Sequence, residues 1–339
     1  MTRRQYPEFH KMMMDQDSYP EALRRPKFEE TTGCYFYRTG NRLYKIRKTS
    51  PIYNNLAIKE RYGQEAVRLC RFWNPDLEFE LLPLVSQGDE KLSLGGEGSV
   101  VDYALQITQL SDHYWLDRQL SAGKITPTGM GRLARYLAQH HLDATMGDAG
   151  AETGRPENFL GLAEEAFYQS KKYLGQTITE PMLEMITRPV NKFLYDERKL
   201  FTRRVKKGRI VDGHGAFVPE HIFIRSSDIH ALSPLDSRVK FRVLDAANDV
   251  ACLVNELLLK DAAELAEVFI KRYGTASKDR DLHKLLPLYQ TLQAAHRGVM
   301  LSEQMKETVD EESKTELKEH ASQYFNLAVK VARQINRPA

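Results

Sequence analysis

Two histidines, two glycines and a proline lie close together in one stretch of this 339-residue chain, residues 211–224. His214 comes early in the stretch, and Glu220 and His221 stand next to each other near its end. An imidazole can take up a proton or ligate a metal near neutral pH, and a carboxylate can act as a general base. The run Ile222–Ile224 follows directly and is typical of a short buried strand. The stretch therefore has the composition of a catalytic loop that leads into a strand.

The sequence between residues 29 and 112 predicts a small, mostly antiparallel sheet with one helix. Aromatic and β-branched runs indicate strands, and Thr39-Gly40-Asn41 between the first two is a hairpin turn signal. The predicted strands cover residues 34–38, 42–47, 77–85 and 99–110, with a polar, glycine-rich turn at 88–98. Apolar residues three and four apart predict a helix over residues 56–73. Lys45 alternates with Tyr44 and Ile46, so its side chain is expected on the opposite face of its strand.

The rest of the chain is predicted to be mainly helical. A glycine-rich loop is expected at 147–155, and short strands are expected between residues 210 and 244. The predicted helices cover residues 116–122, 130–142, 156–174, 180–205 and several segments from 245 to the end. A small sheet lobe followed by a helical lobe is an α+β, bilobal arrangement of the protein-kinase-like kind. We expect an N-terminal arm at 1–28, a sheet lobe at 29–112 and a helical lobe at 113–339 that contains the 211–224 loop.

Composition narrows the classes of protein. Hydrophobic residues make up 42% and charged residues 28%, and the net charge is +3, so no excess of basic charge indicates nucleic acid or an acidic membrane surface. No apolar run reaches the ~18 residues of a membrane span. Three widely separated cysteines make no disulfide framework, which fits a cytoplasmic location. Acceptor substrate, partner and oligomeric state leave no signal in this sequence.

Two motifs carry a resemblance to a known family. The first runs from Glu30-Thr31 through Thr39-Gly40 to Tyr44-Lys45, and the second is His214-Gly215-Ala216-Phe217-Val218-Pro219-Glu220-His221. In order and spacing they resemble the bacterial aminoglycoside phosphotransferases within the wider choline-kinase-like group. The family's pattern has a His-Gly-Asp-Leu loop, sometimes with Pro-Glu-His after it. The resemblance spans nearly the whole chain and implies a protein-kinase-like fold that uses ATP.

The resemblance implies roles for residues on the nucleotide side. A strand lysine that holds the phosphates of ATP matches Lys45, and a helix glutamate normally holds that lysine. Glu65 is the natural candidate for this partner, although the best register places Ala66 at the family's acidic position. We therefore expect Lys45 to contact a nucleotide, with or without Glu65.

The catalytic loop departs from the family's pattern at its central residue. The aspartate that accepts the proton of the attacking hydroxyl matches Ala216, whose methyl group cannot accept a proton. Loss of such a base typically lowers the rate by a factor on the order of 10²–10⁴. Asp212, Glu220 and Asp236 remain as substitute bases, and none occupies the family's position.

The metal ligands that the resemblance implies are also incomplete. His221 falls where a magnesium-binding Asn or His would stand, but magnesium prefers oxygen ligands. The second metal-binding aspartate falls either on Ser233 or, with a gap in the register, on Asp245, and both registers stay open. The first register leaves no aspartate at this position, so a complete magnesium site is doubtful.

Two functional hypotheses follow from these substitutions. The first is a catalytically inactive, pseudokinase-like protein that acts as a binding or regulatory module for a nucleotide or a protein partner. The alternative is an active ATP-dependent small-molecule phosphotransferase whose catalytic acids have moved. Transfer of another nucleotide moiety on the same fold is a third, more remote hypothesis.

Overall fold

A computed structural model describes residues 6–19, 25–31, 33–87, 92–234, 236 and 239–335. The chain divides into two compact units. The first unit contains the residues up to Asp112 together with His230–Ser237, and the second contains His113–Ile229 and Arg238–Ala339. The return of His230–Ser237 to the first unit lies outside the 29–112 range expected for the sheet lobe.

An antiparallel sheet of six strands forms the first unit, in the order β1-β2-β3-β6-β4-β5. The strands are β1 Lys27–Glu30, β2 Cys34–Arg38, β3 Arg42–Arg47, β4 Phe79–Ser86, β5 Leu92–Leu94 and β6 Ser99–Thr108. The structure places the expected hairpin at β2–β3, where Gly40 in the turn has φ +104°, a conformation that favours glycine. Strands β1 and β5 are additional to the predicted ones.

Two helices pack with this sheet: α1 Phe9–Met13 and α2 Leu56–Trp73. Helix α2 has the predicted bounds, and the Asn55 side chain caps it by accepting a hydrogen bond from the Ile58 amide at 2.9 Å. A Cβ at Gly63 would lie 2.6 Å from Leu81 Cδ1, so glycine lets α2 approach β4 closely. Phe9 and Met13 are buried with Tyr37, Tyr44 and Ile46, so α1 belongs to the core of this unit.

Helices make up most of the second unit. They are α3 Leu116–Ser121, α4 Pro127–Asp143, α5 Gly147–Thr153, α6 Pro156–Lys171, α7 Glu180–Asp196, α8 Arg198–Lys206, α9 Ala247–Leu259, α10 Ala263–Ser277, α11 Leu282–Glu307 and α12 Glu311–Ala332. The remaining strands are β7 Ile210–Asp212, β8 Ile222–Ile224, β9 Ile229–Ala231 and β10 Val243–Asp245, which form two two-stranded sheets, β7 with β10 and β8 with β9. The predicted α+β class is confirmed.

The prediction of a glycine-rich loop at 147–155 is wrong for most of its length, because α5 covers Gly147–Thr153. The glycines are needed for packing in this region. A Cβ at Gly150 would lie 3.2 Å from the Ile210 Cβ, and one at Gly154 would lie 2.6 Å from Ile210 Cγ1. The glycines therefore let α5 and the residue after it pack closely on β7.

None of the helices within the described part of the chain combines the length and apolar character that a membrane span requires.

Candidate functional site

Lys45 lies on β3, on the same face of the strand as Arg47. Its side chain is half-buried and lines a narrow cleft of about 20 Å³ in the first unit. The cleft is lined by residues of the sheet and of α2: Lys45, Arg47, Lys59, Gly63, Ala66, Leu81, Tyr103 and Leu105. Three of these side chains are basic and none is acidic.

The charge of Lys45 is not neutralised within the described residues. No carboxylate of the described chain forms an ion pair with it, whereas Lys59 in the same cleft binds Asp102 at 2.7 Å. Burial lowers the pKa of Lys45, and the nearby positive charge of Arg47 acts in the same direction. Burial also raises the pKa of the neighbouring Cys70 thiol to about 11, so this thiol is uncharged at neutral pH. An anion at Lys45 would meet unmatched positive charge.

The structure does not bring Glu65 to Lys45. The Glu65 carboxylate instead binds Arg68 on the same helix, through two hydrogen bonds of 2.8 Å. Ala66 lines the Lys45 cleft, at the position where the family's register places the acid. The helix therefore presents a methyl group, and not a carboxylate, toward the strand lysine.

The segment His230–Ser237 packs on the same unit and carries two of the predicted site residues. The Asn74 side chain, just after α2, holds it through two hydrogen bonds of 2.8 Å with the Ala231 backbone. Ser233 has φ +58°, and its backbone partly offsets the effect of burial on the pKa of the Cys70 thiol. Asp236 is buried, forms an ion pair with Arg47 and accepts a hydrogen bond from the Tyr53 hydroxyl at 3.2 Å. The partner of Asp236 is therefore Arg47, which lies two residues after Lys45 on β3.

In the second unit, Asp249 at the start of α9 fixes the 211–224 loop. Its carboxylate accepts hydrogen bonds from the amides of His214 at 2.6 Å and Gly215 at 2.8 Å. A Cβ at Gly213 would lie 2.6 Å from the Asp249 Oδ2, so glycine is required there for this contact. Gly215 has φ +73°, which also favours glycine. The buried Asp249 carboxylate therefore fixes the backbone conformation of the loop.

Two further side chains support this carboxylate. His141 on α4 donates from Nε2 to Asp249 at 3.1 Å, and its Nδ1 accepts from the Tyr273 hydroxyl at 2.8 Å. Burial alone would raise the pKa of Asp249, but the hydrogen bonds and charges from His141 and His214 lower it overall. Asp249 is therefore ionised, and its charge is satisfied entirely by the loop and by His141.

Ala216 lies partly exposed at the turn of this loop. Its carbonyl accepts hydrogen bonds from the Val218 amide at 3.0 Å and from His221 Nδ1 at 2.9 Å. Phe217 is fully buried and packs edge-on against His214, so its ring fills the core below the loop. Glu220 is exposed in the short 3₁₀ turn Pro219–His221. The loop keeps its backbone shape while residue 216 presents only a methyl group.

The remaining predicted acids are engaged in ion pairs. Asp212 at the end of β7 binds the guanidinium of Arg242. Asp245 at the end of β10 is fully buried, and Arg204 on α8 contacts both of its oxygens, at 2.6 and 2.7 Å. The Asp245 carboxylate also accepts a hydrogen bond at 2.9 Å from the amide of Ala247, the first residue of α9.

These residues do not fit a magnesium ion. Asp245 directs both oxygens at Arg204, and the His221 Nδ1 is turned to the Ala216 carbonyl. Within the described ranges, no group of three or more His, Cys, Asp or Glu side chains is arranged to hold a metal.

The sequence did not predict that Asp249, His141 and Tyr273 support the loop. One available signal was the pair Asn248-Asp249 inside the otherwise apolar run 246–254, since buried polar residues need specific partners. The partners lie 108 and 35 residues away along the chain, and no local pattern indicates them.

Comparison with known proteins identifies the fold. No protein-family model matches the chain. A choline/ethanolamine kinase family protein from Mesorhizobium loti aligns over 97% of this chain and 100% of its own, with a TM-score of 0.55 and 10% identity. The GDP complex of aminoglycoside 2'-phosphotransferase-IIIa covers 95% and 99%, with a TM-score of 0.53 and 12% identity. A choline kinase from Cryptosporidium parvum covers 91% and 89%, at 0.52 and 11%. The chain has the kinase-like fold that these phosphotransferases share.

Related sequences add little about activity. Uncharacterized proteins of Mycobacterium tuberculosis and Mycobacterium bovis are 28% identical over 195 residues. The match covers 55% of this chain and 38% of the relatives, so the chain spans well under two thirds of their length.

Proposed function

We propose that this chain is a kinase-like protein that binds a nucleotide through Lys45 and does not transfer its phosphate. It would then act as a binding or regulatory module, with a protein as a further partner. One observation carries the proposal: the loop around Ala216 keeps its shape through Asp249, but it presents a methyl group where the family's pattern has the base. The loop thus has a fixed backbone conformation but no general base at residue 216.

Support for the absence of turnover comes from the surrounding acids. Asp212 is bound by Arg242 and Asp245 by Arg204, so neither is a free base in the second unit. Burial of the Asp245–Arg204 pair makes its rearrangement costly, because separating a buried ion pair leaves uncompensated charge. Phosphoryl transfer on kinase folds depends on positioned charge and metal ions, so these engaged side chains disfavour it.

Support for nucleotide binding comes from Lys45. A half-buried lysine without a carboxylate partner in the described chain is disfavoured for folding alone. Perturbed charged groups of this kind cluster at functional sites. A nucleotide phosphate would supply the missing negative charge, and its oxygens would accept hydrogen bonds from the Lys45 ammonium.

Titration calorimetry of ATP into the protein in the presence of EDTA tests the binding. We expect ATP to bind without magnesium and Lys45→Met to weaken binding by about 10- to 100-fold, since charged hydrogen bonds contribute about 1.5–3 kcal/mol. Lys27→Met, an exposed lysine on the edge strand β1, is the matched control and should bind as wild type. Equal affinity of the Lys45→Met variant, or no heat with wild type, would refute the nucleotide-binding half of the proposal.

One observation, the location of Asp236, supports the alternative of an active phosphotransferase. Its buried carboxylate contacts Arg47, on the same face of β3 as Lys45, so an acid does lie on the nucleotide side of the first unit. If this acid served catalysis, ATP and magnesium would yield phosphorylated product and Asp236→Asn would abolish it. We expect no product from either protein in a radiolabelled ATP assay, and any turnover that depends on Asp236 would establish the alternative.

A further inference from the structure

A second cavity, separate from the Lys45 cleft and from the loop, lies inside the second unit. Its volume is about 300 Å³, at the lower end of the range for small-molecule sites. It is bounded by α6, the 3₁₀ turn Val239–Phe241, the start of α9 and the middle of α11. No residue of the 211–224 loop is among the described residues that line it.

Aromatic rings form much of the cavity wall. Phe241 and His296 stack with their ring centroids 5.0 Å apart and an interplanar angle of 24°. Phe159 and Tyr289 meet edge to face at 5.8 Å, and burial raises the pKa of Tyr289, so this ring stays uncharged. Flat ring faces of this kind favour a planar ligand that can stack on them.

Two amide side chains supply a hydrogen-bonding edge. Gln293 Nε2 donates to Asn248 Oδ1 at 2.5 Å, and Asn248 is only 4% exposed. The Asn248 amino group and the Gln293 carbonyl then have no hydrogen-bond partner in the described part of the chain. If both amides were turned over, one donor and one acceptor would still remain. The cavity thus offers a donor beside an acceptor, the complement of a lactam or amide edge.

The charged side chains at the cavity disfavour an anion. Glu165 and Lys240 form an ion pair at 2.6 Å, and both are exposed. Glu303 adds a second carboxylate, so the ionised lining side chains carry a net negative charge. A phosphate group would be repelled here, in contrast to the unmatched positive charge at Lys45.

From these three features we propose that the cavity binds a neutral, planar heteroaromatic molecule with a lactam edge, of nucleobase or nucleoside size and without phosphate. The ring would take the place over Phe241 that the exposed Lys240 ammonium occupies, 5.0 Å from the ring centroid, and its lactam edge would pair with Asn248 and Gln293. This site is independent of the proposed nucleotide site at Lys45.

Ligand-observed saturation-transfer NMR with inosine as the probe tests the proposal. We expect inosine to bind with a dissociation constant below about 1 mM, and Gln293→Leu to weaken it by about tenfold, as expected for loss of a buried hydrogen bond. Inosine monophosphate should bind the cavity at least tenfold more weakly. Met300→Trp, which fills the cavity, should abolish binding, and Lys45→Met should leave it unchanged.

Tyr168→Ala, an exposed aromatic residue on α6 outside the lining, is the matched control. Circular dichroism establishes that each variant is folded, and Gln293→Leu keeps the test decisive if Met300→Trp fails to fold. The proposal is overturned if inosine does not bind wild type, or if it binds equally well to Gln293→Leu.

Discussion

Lys45 and Lys59 line the same cleft but differ in how their charges are matched. Lys59 binds the buried Asp102, whereas Lys45 has no carboxylate partner among the described residues, and burial lowers its pKa. A buried charge without a partner is unfavourable for folding, and perturbed charged groups of this kind cluster at functional sites. The difference between the two lysines is the reason for proposing that Lys45 binds a ligand.

The two lysines should therefore respond oppositely to substitution. We expect Lys45→Met to leave the melting temperature unchanged or to raise it, and Lys59→Met to cost about 3 kcal/mol because Asp102 would remain buried and unpaired. A lowered lysine pKa disfavours the charged form in the fold. The gain from Lys45→Met should thus be largest below the folded pKa of Lys45, shrink as the pH rises through that pKa, and disappear above the unfolded value near 10.5.

Thermal unfolding from pH 7 to pH 11 measures both effects. If Lys45→Met destabilised the protein as much as Lys59→Met, Lys45 would be a structural residue and the assignment to a ligand would lose its support.

For single residues, the sequence predicted on which face of a strand a side chain lies better than it predicted which side chains it contacts. The spacing placed Lys45 on a strand facing away from Tyr44 and Ile46, and the structure shows Tyr44 and Ile46 buried with Lys45 half-buried. The sequence could not show that Glu65 binds Arg68. The side chain of a helix that faces a strand is determined by how the helix and the strand pack. The roles of Glu65, His221 and Asp245 in binding a cofactor or a metal stay predictions.

At the scale of elements, two buried carboxylates connect the helices of the second unit to its short strands and loop. Asp249 ties α9 to the loop and, through His141, to α4. Asp245 ties β10 to α8 through Arg204, which also binds Asp279 beyond α10 at 2.5 Å. The Asp249 contacts explain how the loop keeps its backbone shape with alanine at position 216.

Arg204 and its neighbour Arg203 provide a matched pair for testing this role. Arg204→Met should lower the free energy of unfolding by about 4 kcal/mol, because it leaves two buried carboxylates without a partner. Arg203 is 47% exposed and pairs with Asp281 at the surface, where solvent screens the charges, so Arg203→Met should change the free energy of unfolding little. Urea denaturation of the two variants measures the difference. Similar losses in both would show that Asp245 is not held mainly by Arg204 and is more available to a metal than proposed.

Long periodic segments were predictable at this scale, and short or tightly packed ones were not. The bounds of α2 follow from its apolar spacing and from the proline after it, which disfavours helix in the residue before it. The predicted helix at 180–205 is instead interrupted at Glu197, which lies between α7 and α8. Helix α5 went unpredicted because its glycines signal a loop locally, while their actual use is close packing on Ile210.

At the scale of the molecule, the residues of the proposed function are divided between the two units. The first unit holds the strand lysine, and the second holds the loop and its supporting carboxylate. The chain-wide similarity to choline kinases and aminoglycoside phosphotransferases establishes this fold, while the identities of 10–12% leave the activity to be argued from the residues. Those residues are the basis of the proposal that the protein binds a nucleotide without transferring its phosphate.

Native mass spectrometry of the protein after incubation with ATP and magnesium can distinguish binding from transfer in one experiment, since the mass of the bound ligand reports binding and turnover together. We predict a complex with intact ATP for the wild-type protein and a strongly reduced amount of it for Lys45→Met at the same ATP concentration. A complex with ADP, a protein that has gained a phosphate, or no nucleotide complex at all would contradict it.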